Sequence, residues 1–350
     1  MPMTIRERLM TTLRGGVADR IPWNIYASLL PNTDAARRLQ AKGLGLMGSA
    51  APYRTIRSDV TVREERGEVD GLPLIHTTIE TPVGTLTEEA IIEPHHGSRW
   101  IRKFFITGPE DYRAAEFYFR HTRFEPEFEG WRRADAAMGD AGVVAAIIMA
   151  LPILELMQYW LGLDGLAEGL YLYTDRFDAL IDALEQHYYR QAELAASSPA
   201  ELVWFPESLT ATVISPRLFE RYCAPVYARA APVVRGAGKL ITAHYDGSIR
   251  PLVHLLAGID IPIIEAFTPP PMGDLTVAEA KAAWPDKVIW VNFPGTLFHE
   301  PEETIYRYTM ELLRTGAPGG RLVIGCTEDY PASEFTKTFN TIGRAMADYE

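Results

Sequence analysis

The chain has 350 residues, 47% of them hydrophobic and 23% charged, with 34 Lys and Arg against 46 Asp and Glu for a formal charge of −12. This composition excludes a disordered or fibrous chain, and the length allows two ordinary domains or one large α/β barrel. The acidic balance, with no basic run against it, argues against a nucleic-acid backbone or an anionic membrane as partner.

In chain order, residues 1–20 read as a charge-mixed amphipathic helix without a signal-peptide core. A first strand is expected at 20–26. Residues 60–102 then alternate polar and apolar side chains around Asp70-Gly71 and Pro82-Val83-Gly84, the pattern of an antiparallel hairpin or small meander. From residue 140 onward, short apolar runs alternate with helical patterns. Strands are expected at 142–150, 202–205, 239–244, 261–267, 288–293 and 321–326. Helices are expected between them, notably at 176–197, 216–236, 277–284 and 301–316, and 333–349 closes the chain. Strands that are apolar throughout and followed by helices form a parallel sheet buried on both faces. With 20–26 and one more early strand the count reaches eight. The expected fold is therefore α/β: a single (β/α)8 TIM barrel over 1–350, with an N-terminal helix and an inserted hairpin or meander at 60–102.

Two cysteines, Cys223 and Cys326, provide no disulfide framework. No apolar run is long enough to span a bilayer. A cytoplasmic location without membrane contact is expected. His95-His96 lies on the inserted segment, where adjacent side chains face opposite sides, and reads as surface. Cys223 reads as a buried apolar residue.

In a parallel barrel, chemistry sits where the strands end. Those ends carry Glu207, His244 with Asp246, Glu265, Asn292, and Cys326 with Asp329. Imidazole, carboxylate and thiol at neighbouring strand ends are donors suited to a tetrahedral zinc site.

Arg6-Glu7-Arg8-Leu9, Leu13-Arg14-Gly15-Gly16 and Asp19-Arg20-Ile21-Pro22 stand in this order near the start of the chain. Together they resemble the amino-terminal signature of the uroporphyrinogen decarboxylase superfamily. The run from Ser215-Pro216-Arg217-Leu218-Phe219 to Ala243-His244-Tyr245-Asp246-Gly247 is similar to the stretch carrying His-x-Cys-Gly in the corrinoid-dependent methyltransferases of that superfamily. Glu265-Ala266-Phe267 continues the match, and Thr81-Pro82-Val83-Gly84-Thr85-Leu86 resembles a hairpin of the same branch. The arginine-rich segment with which the decarboxylases grip a porphyrinogen is replaced here by Trp23-Asn24-Ile25-Tyr26-Ala27-Ser28-Leu29-Leu30. Without guanidinium forks a polyanionic substrate is left unpaired.

The resemblance implies Zn²⁺ held by His244, Asp246, Glu265 and Cys326, with Asp246 standing where the branch has cysteine. Fewer thiolates leave a harder Lewis acid, suited to polarising an ether oxygen. It further implies a methyltransferase that moves a methyl group from a small O-methylated, methoxyaromatic-like substrate to cob(I)alamin. No corrinoid-binding Asp-x-His-x-x-Gly occurs, so the cobalamin would be carried by a separate corrinoid protein. Glu207, Asn292 and Tyr245 are the expected catalytic residues around this centre: Asn292 and Tyr245 to hydrogen-bond substrate, Glu207 to ligate metal or steer a proton. Trp23, Tyr26, Phe205, Phe267 and Phe293 are expected to wall an apolar pocket. The alternatives are methyl transfer from a corrinoid to a thiol, a decarboxylase, or a non-catalytic relative that kept the barrel.

Overall fold

A computed structural model describes residues 2–349. The chain divides into two compact units, one formed by Met1–Pro52, Phe128–Ile148 and Ala195–Glu350, the other by Tyr53–Glu127 and Met149–Leu194.

In the first unit, eight strands of the described residues close into a parallel barrel: β1 (Trp23–Tyr26), β2 (Leu44–Ala50), β3 (Gly142–Ile147), β4 (Leu202–Leu209), β5 (Leu240–Tyr245), β6 (Ile263–Phe267), β7 (Val288–Asn292) and β8 (Leu322–Cys326). Each pairs with its neighbours in sequence, and β8 closes the ring against β1. Every residue of β6, β7 and β8 is buried, as both-face coverage by helices requires. The unplaced early strand is β2. Its sequence, Leu-Gly-Leu-Met-Gly-Ser-Ala, hides it because two glycines stand where strand formers are usual. Gly45 is needed there, since a Cβ would lie 2.8 Å from Ile5 Cγ2.

The N-terminal helix Ile5–Leu13 starts from a Thr4–Glu7 capping box. Its Leu9, Met10 and Leu13 join an interior cluster with Met47, Val143, Leu202, Ile263, Val288, Trp290 and Val323. Most of those are the first or second residues of their strands, so the helix closes the barrel at its N-terminal end. Deeper in, the buried Trp290 Nε1 donates to Asn24 Oδ1 at 2.8 Å. The C-terminal strand ends are left for polar side chains.

In the second unit, Thr61–Val69, Leu72–Thr81, Gly84–Ile92 and Arg99–Lys103 form a four-stranded antiparallel sheet in sequence order. This is the antiparallel insertion expected from the alternation of 60–102. Its first turn, Asp70-Gly71, has φ of 53° and 76°, the left-handed pair that a two-residue hairpin loop requires. A two-stranded pair, Tyr53–Arg57 with Thr122–Pro126, was not expected. Among the described residues no helix is long and apolar enough to cross a membrane.

Candidate active site

His244 on β5 and Glu265 on β6 are register partners across the parallel pair. Side chains alternate along a strand. Leu240 packs on the interior cluster, so His244 shares its inward face while Ala243 and Tyr245 point toward the helices. A left-handed Ala266, φ 54°, and a register shift between Ile264 and Phe267 follow directly after Glu265, a local distortion of the kind found at barrel rims and active sites.

Glu265 is fully buried, and both its oxygens are used. Oε1 accepts from the Tyr26 hydroxyl at 2.7 Å, and Oε2 accepts from Trp204 Nε1 at 3.1 Å while facing His244 Nδ1 at 3.0 Å. Tyr26 Oη is also 3.1 Å from Nδ1. Such saturation is what makes a buried carboxylate tolerable. Tyr26 and Trp204 support one another edge to face, with centroids 5.5 Å apart. The second nitrogen of His244, Nε2, lies 3.7 Å from Asp246 Oδ2. Burial alone would push the imidazole down. The Glu265 charge, with Asp246 and Glu265 as acceptors for the ring N–H groups, outweighs it and raises the pKa to about 10. His244 is therefore an imidazolium between two carboxylates at neutral pH. Burial and the charges of Glu265, Asp246 and Glu328 push the Tyr26 hydroxyl well up, so it stays a donor.

Asn292, inward on β7 two residues beyond Trp290, spends its amide on the next loop. Nδ2 donates to Glu328 Oε1 at 2.7 Å and to Thr268 Oγ1 at 3.2 Å, and Oδ1 accepts from the Thr327 N–H at 3.0 Å. It positions Glu328 beside the mouth.

The other expected residues lie elsewhere. Tyr245 faces Tyr227, ring centroids 6.5 Å apart. Fully buried Glu207 exerts its charge on Tyr245 and Cys223. These three share the helix-facing side of β4 and β5. Cys326 is buried in register beside Ile25, on the face of β8 opposite Val323, and burial pushes its thiol up to about 12. Of the five expected wall aromatics only Tyr26 reaches the site. Phe205 stacks on Tyr227, Phe267 meets Trp284 edge-on, Phe293 packs on Phe298, and Trp23 lies against Gly343.

Of the four expected zinc donors, His244 lies 3.0 Å from Glu265 and 3.7 Å from Asp246, while Cys326 lies on the opposite face of its strand. Among the described residues no three His, Cys, Asp or Glu side chains converge as a metal site would require. Glu265 is consumed by hydrogen bonds and Cys326 faces away. This donor set does not fit a four-coordinate zinc as it stands.

Trp204 was the residue missed. Alternation puts it on the same face of β4 as Leu202, which the interior cluster shows to be the inward one, and it is the donor that completes Glu265. Beside Trp204 and Tyr26 is a cavity of about 350 Å³ whose lining includes Ser28, Met47, Ser49 and Met138, large enough for a small ligand.

A closed parallel barrel with an ionised, hydrogen-bonded cluster at its C-terminal strand ends has the architecture of an α/β-barrel enzyme. The chain belongs to the uroporphyrinogen decarboxylase (URO-D) family, which it matches over residues 101–327. Among solved structures it is similar to a methyltransferase from Methanosarcina mazei, with TM-score 0.58 and 12% identity over 99% of each chain. A Listeria monocytogenes protein described as a vitamin-B12-independent methionine synthase aligns at TM-score 0.40 and 16% identity, over 74% of this chain and 72% of that one. No curated protein matches the chain. At these identities the likeness to the Methanosarcina mazei structure is one of fold.

Proposed function

We propose that this protein is a methyltransferase that takes a methyl group from a small O-methylated, methoxyaromatic-like substrate and passes it to cob(I)alamin on a separate corrinoid protein. Family membership, the fold shared with a methyltransferase and the lack of arginine among the described residues of the cluster support this reading. The observation that carries it is the His244 ring, fixed through Nδ1 by Glu265 so that Nε2 is left toward the mouth beside Asp246.

An ether methyl leaves only if the departing oxygen is stabilised where its charge develops. The corrinoid, when docked, supplies the nucleophile. Tyr26 and Trp204 hold Glu265, and Glu265 holds the ring. Nε2–H donates to the ether oxygen and gives up its proton as the carbon–oxygen pair moves onto that oxygen. Asp246, 3.7 Å from Nε2, is placed to steer a replacement proton to the ring. The aromatic pair and the adjacent cavity take the body of the substrate.

A second reading, favoured by the family match, is a decarboxylase in which the same proton quenches a carbanion. One experiment separates them. Purified protein is mixed with cob(I)alamin and a panel of methoxyarenes, and methylcobalamin absorbance and released CO₂ are followed. Methylcobalamin formation with release of the phenol supports methyl transfer. Its absence across the panel, with CO₂ released from small carboxylated substrates, overturns it.

A further inference from the structure

The amino-terminal signature motif, Leu13-Arg14-Gly15-Gly16 with Asp19-Arg20-Ile21-Pro22, takes no part in the site above. It builds a different one. At the N-terminal pole of the barrel, where β1 and β8 begin, residues 16–22 and 317–322 line a cavity of about 540 Å³. It lies at the opposite end of the strands from His244.

Its chemistry is cationic in a chain of net charge −12. Arg321 is partly buried, and among the described residues its guanidinium has neither an ion pair nor a hydrogen bond. Arg20 lines the same cavity. Among the described lining residues the carboxylate is Asp19, and it is already engaged, since Arg8 Nε and Nη2 donate to it at 2.7 and 3.1 Å and the Met3 N–H at 3.0 Å. Lys281 adds a second charge close to Arg321. Its ammonium donates to the carbonyls of Gly316, Pro318 and Gly320 at 2.5, 2.8 and 2.7 Å, so it ties down the loop that carries Arg321 and has no donor left for a ligand.

Arg321 is also held deliberately. Its φ is 56°, in the left-handed region that a non-glycine residue occupies only under constraint. Its Nε would lie 3.3 Å from a Cβ at position 15, and Gly15 itself has φ 79°. The left-handed backbone favours glycine at position 15, and the Arg321 guanidinium lies close over it. A planar guanidinium fork at a cavity wall, with no carboxylate partner among the described residues, is suited to phosphate oxygens.

We propose that this polar cavity binds a small phosphate-bearing molecule, with Arg321 as its principal anchor and Arg20 at its rim. The left-handed backbone at Arg321 fixes the start of its side chain, and Gly319-Gly320 add no side chains to that part of the lining.

The test is calorimetry and thermal melting of the full chain with inorganic pyrophosphate at constant ionic strength. Citrate serves as the carboxylate control. Wild-type protein is expected to bind pyrophosphate saturably, at least tenfold more tightly than citrate, with a rise in Tm. Arg321→Gln is expected to weaken binding tenfold or more. Val17→Glu changes a lining residue that is 81% exposed, so it leaves folding intact while placing a carboxylate at the cavity, and it is expected to lose binding equally. Circular dichroism and Tm without ligand confirm both variants are folded. Wild-type protein that shows no saturable binding, citrate bound as tightly as pyrophosphate, or binding that survives in both folded variants would overturn the proposal.

Discussion

Trp204 Nε1 and His244 Nδ1 meet the same oxygen, Oε2 of Glu265, at 3.1 and 3.0 Å. One neutral donor and one charged ring thus share a single buried acceptor, and the Tyr26 hydroxyl takes the other oxygen. The orientation of His244 is set by this arrangement.

Removing its supports has a cost in stability. Glu265→Gln takes away the counter-charge of a buried imidazolium, and the loss is expected to be about 3 kcal/mol in urea unfolding. Tyr26→Phe leaves one carboxylate oxygen without its donor and is expected to cost about 1–3 kcal/mol. Equal stability of wild type and Glu265→Gln would show that the pair is not formed.

Glu155, in the second unit, sets a pH dependence. Burial raises its carboxyl to about 7, against a hydrogen bond from Trp160 that lowers it. Because the folded form holds its proton more tightly than the unfolded one, stability is greatest below the ordinary carboxylate pKa. It falls as pH rises to about 7 and is then level with respect to this group. The total is on the order of 3 kcal/mol. Glu155→Gln is expected to flatten denaturant midpoints measured between pH 5 and 8 and to be the more stable protein at pH 8. A wild-type midpoint that rises across that range would contradict this.

Both cysteines are buried, and burial pushes Cys326 up to about 12 and Cys223 well above the ordinary thiol range. Native protein is expected to react with a thiol reagent far more slowly than unfolded protein, by at least a hundredfold. Cys326→Ala is expected to keep whatever metal content the wild type has by elemental analysis. A stoichiometric metal lost in that variant would restore Cys326 to a metal centre.

The paired Arg99 and Glu88 offer a separate check on the inserted sheet. Glu88 is 2% exposed and its partner 34%. Arg99→Ala leaves that carboxylate buried alone, with an expected cost of about 3–5 kcal/mol. An unchanged melting profile would mean the pair is not buried in solution.

Much of the barrel was legible because its strands β5 to β8 are short, apolar and punctuated by helices. Each expected boundary there differs by no more than two residues. Residues 44–50 were not, because Gly45 and Gly48 serve close packing and carry no β signal. β4 runs on to Leu209 although Pro206 ordinarily marks a strand's end, because a register shift and a left-handed Ser208 accommodate it. In the site, chain order alone brought forward His244, Asp246 and Glu265. Chain order does not carry facing. Alternation sends Cys326 and Tyr245 to the helix side of their strands and Trp204 inward, and that parity depends on the interior cluster, which only the closed barrel reveals.

The central claim is that Nε2 of His244 delivers a proton to the oxygen that loses its methyl group. It is tested most directly by methylcobalamin formation from a methoxyarene, compared between wild type and His244→Gln. Glutamine keeps an N–H donor but has no proton to transfer. The variant is expected to bind the methoxyarene with unchanged affinity and to turn over about 10²–10⁴-fold more slowly. A His244→Gln protein that folds, binds and methylates cob(I)alamin at the wild-type rate would contradict it.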